Sequence, residues 1–218
     1  MQFGVIVPQG WRLDLVAVPD PAEAYEAMTR VAREAETFGF RSIWLYNHFH
    51  TIPVPTQEVT FEAWMSTAAL ARDTQHVRIG QIVICNSYRY PALLAKMAST
   101  VDVLSHGRLI LGIGAGWYEQ EYRAYGYEFP STAERLARLS EALQVLRAMW
   151  TQEEAYFEGR YYQVRGAINQ PKGVQRPPIP ILIGGWQESI GKGMIRRFCT
   201  LACESTLSPH CIDKAASR

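Results

Sequence analysis

The stretch VRIGQIVICNSYRYPALLAKMASTVDVLSHGRLILGIGAGW, residues 77–117, decides the fold, because it reads as a strand, a helix and a second strand that ends in glycines. Residues 77–85 (VRIGQIVIC) form a nearly continuous apolar run rich in β-branched side chains, the pattern of a strand buried on both faces and hence of a parallel sheet. Pro91 stands where a first-turn proline would. Leu93, Leu94, Met97, Ala98, Val101 and Leu104 then recur at helical spacing, which leaves Lys96, Ser99 and Asp102 for the other face. Gly107 ends that helix. Residues 108–113 (RLILGI) read as the next buried strand, and Gly112, Gly114 and Gly116 either let the chain turn or let its backbone approach a ligand closely.

The same alternation extends in both directions. Toward the N-terminus, residues 3–8 (FGVIVP) are strand one, followed by a loop with Gln9, Gly10, Trp11 and Arg12. Pro21 opens a helix with a Tyr25, Met28, Ala32 and Ala35 stripe, closed by Gly39. Residues 41–46 (RSIWLY) are strand two, residues 47–60 a proline-interrupted loop carrying His48 and His50, and residues 61–72 helix two. Beyond Trp117 comes a polar and aromatic stretch to Pro130. Ser131 and Glu134 then have capping-box spacing and start a long helix on Leu136, Leu139, Leu143 and Leu146. Residues 155–164 alternate aromatic and polar side chains about Gly159, a two-stranded excursion outside the main sheet, and residues 181–185 (ILIGG) are a fifth buried strand.

Strands alternating with helices allow a doubly wound sheet or a (β/α)8 barrel. Functional residue types follow every strand instead of gathering at one switch point, which favours an α/β fold of the (β/α)8 TIM-barrel type. Closed barrels take about 250 residues; at 218 residues with five strands visible, the barrel is expected to be incomplete, with residues 1–185 as the barrel domain and residues 186–218 as an atypical tail.

Composition narrows the function classes. Lys and Arg total 22 against 21 Asp and Glu, a net charge of +1, which argues against nucleic-acid and anionic-membrane partners. No run reaches the length of a membrane span and no basic-then-apolar leader opens the chain, so a cytoplasmic location is expected. Four cysteines do not form a disulfide framework. Cys199, Cys203, His210 and Cys211 have the residue types of a zinc site but not its spacing, since adjacent His210 and Cys211 rarely reach one ion together. His48 and His50 lack a third ligand nearby, and no metal is expected. His48, at the end of strand two, lies where barrels place their chemistry, and an imidazole there can give or take a proton near neutral pH.

With those residues placed, the chain resembles the bacterial-luciferase-like superfamily, in particular its deazaflavin (coenzyme F420)-dependent oxidoreductase branch. The resemblance runs from residue 3 to about residue 185 and is carried by FGVIVPQGW, SIWLYNHF, the block from RIGQIVIC through GAGWYEQEYRAYGY, and ILIGG. It implies hydride transfer between F420 and an unidentified small organic substrate, with FMN as the alternative cofactor. The family's Asp-His-Phe falls on Asn47, His48 and Phe49, so His48 inherits a catalytic or ring-positioning role and Asn47 keeps hydrogen bonding without the carboxylate charge. A non-prolyl cis peptide maps onto Ile82 and Val83. Asn86, Ser87, the turn with Gly114, Gly116 and Trp117, and the strand-five glycines Gly184 and Gly185 are the matching cofactor contacts.

A family glutamate acid falls near Trp117, so Glu119 or Glu121 would have to replace it. Trp186 and Gln187 stand where relatives have glycines that cradle the cofactor phosphate, which implies weakened binding. From there the sequence lacks strand periodicity, as a reading-frame change or truncation would leave it, with two open sheet edges that favour self-association or homo-oligomer formation. The rival readings are an FMN-dependent luciferase-like monooxygenase and an inactive barrel fragment.

Overall fold

The computed structural model describes residues 3–186 and 196–201. In chain order the elements are β1 (Gly4–Ile6), α1 (Pro21–Thr37), β2 (Ser42–Leu45), α2 (Ala63–Asp73), β3 (Arg78–Gln81), β4 (Ile84–Cys85), a 3-10 turn (Asn86–Tyr88) and α3 (Pro91–Leu104). They continue with β5 (Leu109–Gly114), α4 (Glu119–Ala124), α5 (Thr132–Thr151), β6 (Glu154–Glu158), β7 (Gln163–Ile168), β8 (Ile181–Trp186) and β9 (Arg196–Leu201). The main sheet runs β1-β2-β3-β5-β8-β9, with the short β4 on β5. All its pairings are parallel except β8 with β9. The β6–β7 hairpin is a separate antiparallel sheet, as its aromatic and polar alternation predicts.

Register sorts the sheet into two chemically different faces. Val5, Ile43 and Ile79 stand in one row, and Leu45, Gln81, Leu111, Ile113, Ile181 and Ile183 share their side. This face meets the helices, and most of it belongs to the buried core with Met28, Leu70, Leu94, Leu143 and Leu146. The opposite face carries Gly4, Gly80, Gly112, Gly114 and Gly184 beside Ser42 and Trp44. These glycines make room for two large groups. A Cβ on Gly4 would come within 2.6 Å of Trp44 Nε1, and one on Gly80 within 3.0 Å of its ring. A Cβ on Gly114 would lie 3.0 Å from a Val83 methyl, and one on Gly184 2.6 Å from it.

Several expectations are corrected. Residues 77–85 are two strands, because the cis Ile82–Val83 peptide interrupts the run and Val83 turns onto the glycines of β5 and β8. Helix two begins two residues later than its apolar pattern, since Glu62 caps it by accepting from the Met65 amide. Ser99 and Asp102 do not face solvent. Asp102 accepts from the backbone N–H of Val174 and Gln175 and from Gln175 Nε2, while Ser99 accepts from Asn169, so both are buried against the chain that returns to β8. The polar and aromatic stretch after Trp117, to which the sequence assigned no element, holds α4. Nor is the tail without a strand: β9 pairs along the whole of β8, so the outer edge of the fifth parallel strand is covered. Among the described residues the sheet's two edge strands are β1, with Phe3 and Ile6 exposed, and β9. Gln187, Cys203, His210 and Cys211 lie outside the described residues. Among the described residues no helix is long and apolar enough to cross a membrane.

The tightest of these contacts is at Gly112, where a Cβ would fall 1.8 Å from the Gln81 carbonyl oxygen and 3.1 Å from Val83. Backbone cannot step aside as a side-chain tip can. Gly112→Ala is therefore expected to cost at least the ~1–3 kcal/mol of an overpacked core, read as a lowered midpoint in urea unfolding; an unchanged midpoint would contradict the packing described.

Candidate active site

The site forms where the exits of β1, β2, β4 and β5 converge, the carboxyl ends of a parallel sheet. Gln9, just after β1, is almost fully buried and ties this end together. Its Nε2 donates to the carbonyls of Tyr46 (2.9 Å) and Phe61 (2.6 Å), and its Oε1 accepts from the Tyr46 amide at 2.7 Å. Asp14 accepts from the amides of Gln9 and Gly10, which sets the loop that carries Trp11. Trp11 lies flat on His48, with ring centroids 4.3 Å apart and planes 7° from parallel, and Trp117 and Tyr118 present their edges to the same imidazole at 5.9 Å.

Beneath the imidazole is a buried carboxylate. Glu121, on α4, is 0% exposed and lies 3.3 Å (Oε1) and 3.2 Å (Oε2) from His48 Nδ1. The Phe49 amide donates to Oε1 and the Tyr88 hydroxyl to Oε2, each at 2.8 Å. Burial pushes the Glu121 carboxyl up, but the His48 hydrogen bond and charge, the Phe49 amide and the Tyr88 hydroxyl together outweigh it and hold the group below its ordinary 4.5. His48 Nε2 has no hydrogen-bond partner among the described residues, so the atom away from the carboxylate is the one left open. Of the two glutamates the sequence offered, only Glu121 reaches the site; Glu119 pairs with Arg123 at 2.6 Å on the surface.

The two asparagines also flank this end of the sheet. Asn47, 3% exposed, accepts through Oδ1 from the Cys85 amide at 2.9 Å, and its Nδ2 is buried without a partner. Asn86, 1% exposed, donates from Nδ2 to the Tyr162 hydroxyl, and its Oδ1 is likewise buried and unmet. Two orphaned amide groups at adjacent strand ends are what a polar ligand would satisfy. Ser87 follows in the 3-10 turn. Burial pushes the Cys85 thiol up to about 11 against the lowering contacts of Tyr122 and Ser87, so it stays protonated beside the Tyr122 hydroxyl at 2.8 Å.

The glycines are placed differently from what the sequence suggests. Gly114 and Gly184 lie under Val83, and Gly116, at φ +85°, leaves 2.0 Å between a would-be Cβ and the Tyr122 hydroxyl. On the faces that a side chain would fill, they admit protein atoms. Gly185 continues β8, paired with Arg197. Trp117 stands half-exposed at the rim, stacked on Tyr118 at 5.1 Å. Trp44 lies over Gly4 and Gly80 within the sheet and does not wall the site. Sequence reasoning passed over Tyr88, Tyr122 and α4 itself, although Tyr118, Tyr122 and Tyr125 recur at the helical spacings of four and three. Among the described residues no cluster of three or more His, Cys, Asp or Glu side chains could hold a metal.

The depressed Glu121 carboxyl has a pH signature. Its folded value lies below the unfolded one, so its contribution to stability is complete above about 4.5 and is lost as pH falls through the lower folded value. The chain should lose stability more steeply on acidification below 4.5 than its Glu121→Gln variant does. Urea unfolding at stepped pH measures both slopes, and equal slopes would remove the buried-anion reading.

The chain is similar to known proteins over most of its length. The luciferase-like monooxygenase family profile matches residues 1–195. An F420-dependent glucose-6-phosphate dehydrogenase of Amycolatopsis mediterranei (strain U-32) is 35% identical over 160 residues, 72% of this chain and 47% of that protein. Another from Kineococcus radiotolerans is 37% identical over 158 residues, 71% of this chain and 45% of that protein. The chain thus spans about half the length of these curated relatives. Among solved structures, an F420-dependent secondary alcohol dehydrogenase in complex with an F420–acetone adduct is 27% identical with a TM-score of 0.69, over 84% of this chain and 52% of that one. The monooxygenase RslO1 from Streptomyces bottropensis is 25% identical with a TM-score of 0.71, over 84% and 53%. On this extent of matching, the chain belongs to the luciferase-like monooxygenase family.

Proposed function

We propose that the chain is a barrel domain of an F420-dependent oxidoreductase that acts on a small organic substrate. The observation that carries the reading is His48: its ring is clamped between Trp11 and Glu121 at the strand ends, with Nε2 as its one open nitrogen. The orphaned Asn47 Nδ2 and Asn86 Oδ1 supply a buried donor and a buried acceptor next to it, which fits the amide edge of a deazaflavin ring. Asn47, Asn86, Ser87 and the Ile82–Val83 bulge are the residues that would hold that ring. When bound, F420 supplies a two-electron hydride carrier. The chain's own contribution is to seat the ring, to exclude water with Trp11, Trp117 and Tyr118, and to accept a proton at His48 Nε2. That the relatives at 35% and 37% identity are named F420-dependent supports F420 over FMN.

The second reading is an FMN-dependent monooxygenase, and the likeness to the monooxygenase RslO1 favours its reaction type. The third, a fragment that binds neither cofactor, rests on the share of its relatives that the chain covers.

Titration of the chain with F420 and with FMN separates the three. F420 is expected to bind at least tenfold more tightly than FMN, and Asn47→Leu to weaken F420 about fivefold to tenfold, the worth of one net hydrogen bond at ~1–1.5 kcal/mol. Tighter FMN binding would select the monooxygenase reading, and no saturable binding of either cofactor would select the silent fragment.

A further inference from the structure

We infer that Glu121 is the positioning residue of His48: it fixes the imidazole as the Nδ1–H tautomer and so presents an unprotonated Nε2 as the proton-accepting atom of the site. The inference rests on the proposed role of His48 only for its consequence in catalysis, since its geometry stands without a cofactor.

A carboxylate in the depressed-value state of Glu121 is an acceptor only. Its oxygens already receive two fixed donors, the Phe49 backbone N–H on Oε1 and the Tyr88 hydroxyl on Oε2. His48 Nδ1 approaches both oxygens at nearly equal distance, 3.3 and 3.2 Å, so it must bring a proton of its own. Trp11 holds the plane of the ring at 7° and the edges of Trp117 and Tyr118 stand beside it, and of the two flip states only the one with Nδ1 toward Glu121 brings a hydrogen-bonding nitrogen to the carboxylate. Glu121 in turn cannot move, being fully buried and tied to the β2 exit loop and the 3-10 turn at once. The arrangement is a histidine oriented by a buried carboxylate, in which the acid sets tautomer and angle and offsets the positive charge that appears when Nε2 takes a proton.

The substitution Glu121→Gln tests this with a qualitative outcome. The Phe49 N–H cannot become an acceptor, so the glutamine oxygen must stay at the Oε1 position and the NH2 group must fall at the Oε2 position. That group donates. Beside it the Tyr88 hydroxyl can rotate to accept, and His48 Nδ1, which met two acceptors, now meets one acceptor and one donor, so the Nε2–H tautomer gains population. Long-range 1H–15N correlation spectra of the labelled chain, at a pH where the ring is neutral, read the tautomer directly, with the His48 signals assigned from a His48→Asn sample.

The expected result is Nδ1–H in the wild-type chain and a clearly raised Nε2–H fraction in Glu121→Gln. Nε2–H in the wild type, or an unchanged tautomer in the variant, overturns the inference. The wild-type measurement needs no substitution and decides the matter should Glu121→Gln fail to fold. Tyr88→Phe keeps the carboxylate and should keep Nδ1–H; loss of that tautomer there would pass the positioning role to Tyr88 and equally overturn it. No cofactor enters these spectra, so a tautomer result against Glu121 and a titration result against F420 are separate failures.

Discussion

A single buried carboxylate, Glu121, joins three chain segments that are far apart in sequence. It is fully buried and accepts from His48, from the Phe49 amide after β2, and from Tyr88 in the turn after β4. A charge withdrawn from water is tolerated only where several donors meet it, and breaking such a set leaves an uncompensated ion. The three donors must therefore arrive together, which fixes α4 against the exits of two strands and sets the height of the imidazole above the sheet. The aromatic shell of Tyr88, Tyr122, Phe49, Tyr127 and Phe129 around this anion keeps water out, which strengthens each hydrogen bond inside it.

The second constraint is steric. The face of the sheet that meets no helix is lined with glycine because Trp44 and Val83 occupy that space. Glycine here does less for ligand approach than for the protein's own side chains: Gly114 and Gly184 create the seat on which the Ile82–Val83 bulge rests. Val83 is thereby packed two residues before Cys85, whose amide Asn47 accepts, so the same strand segment supports one of the two orphaned asparagines.

Three other carboxylates do comparable work farther from the site. Glu36 accepts from the successive amides of Gln75, His76 and Val77 and anchors the turn before β3. Asp102 holds the amides of Val174 and Gln175 ahead of β8, and Glu141 those of Arg160, Tyr161 and Tyr162 at the tip of the β6–β7 hairpin. Each satisfies backbone donors that a loop would otherwise expose or bury unmet. At the opposite end of the sheet Arg108 does the complementary task, donating to the carbonyls of Ala71, Thr74, Val77 and Ser105. The connections between strands and helices are thus held by single side chains, not by further secondary structure.

The sequence alone determined the order of the five parallel strands and their helices, the hairpin outside the sheet and the helix start at Ser131, because each rests on local periodicity or on a cap within a few residues. It also marked His48, Asn47 and Asn86 by their place after strands, and Ile82 and Val83 through the family resemblance. Tertiary structure alone decided the rest. Asp102 and Glu36 look like solvent-face residues of amphipathic helices, yet their oxygens are taken by amides 72 and 39 residues away, a relation no periodicity carries. Glu121 and Glu119 are two residues apart on one short helix, and only the packing of α4 sends one beneath His48 and the other to Arg123. The glycines were legible as positions without side chains, but what fills the vacated space depends on which strand lies alongside. Sequence pattern reports what a residue's own neighbours in the chain require, while burial, pairing and the partner of a charge are fixed by neighbours that only the fold supplies.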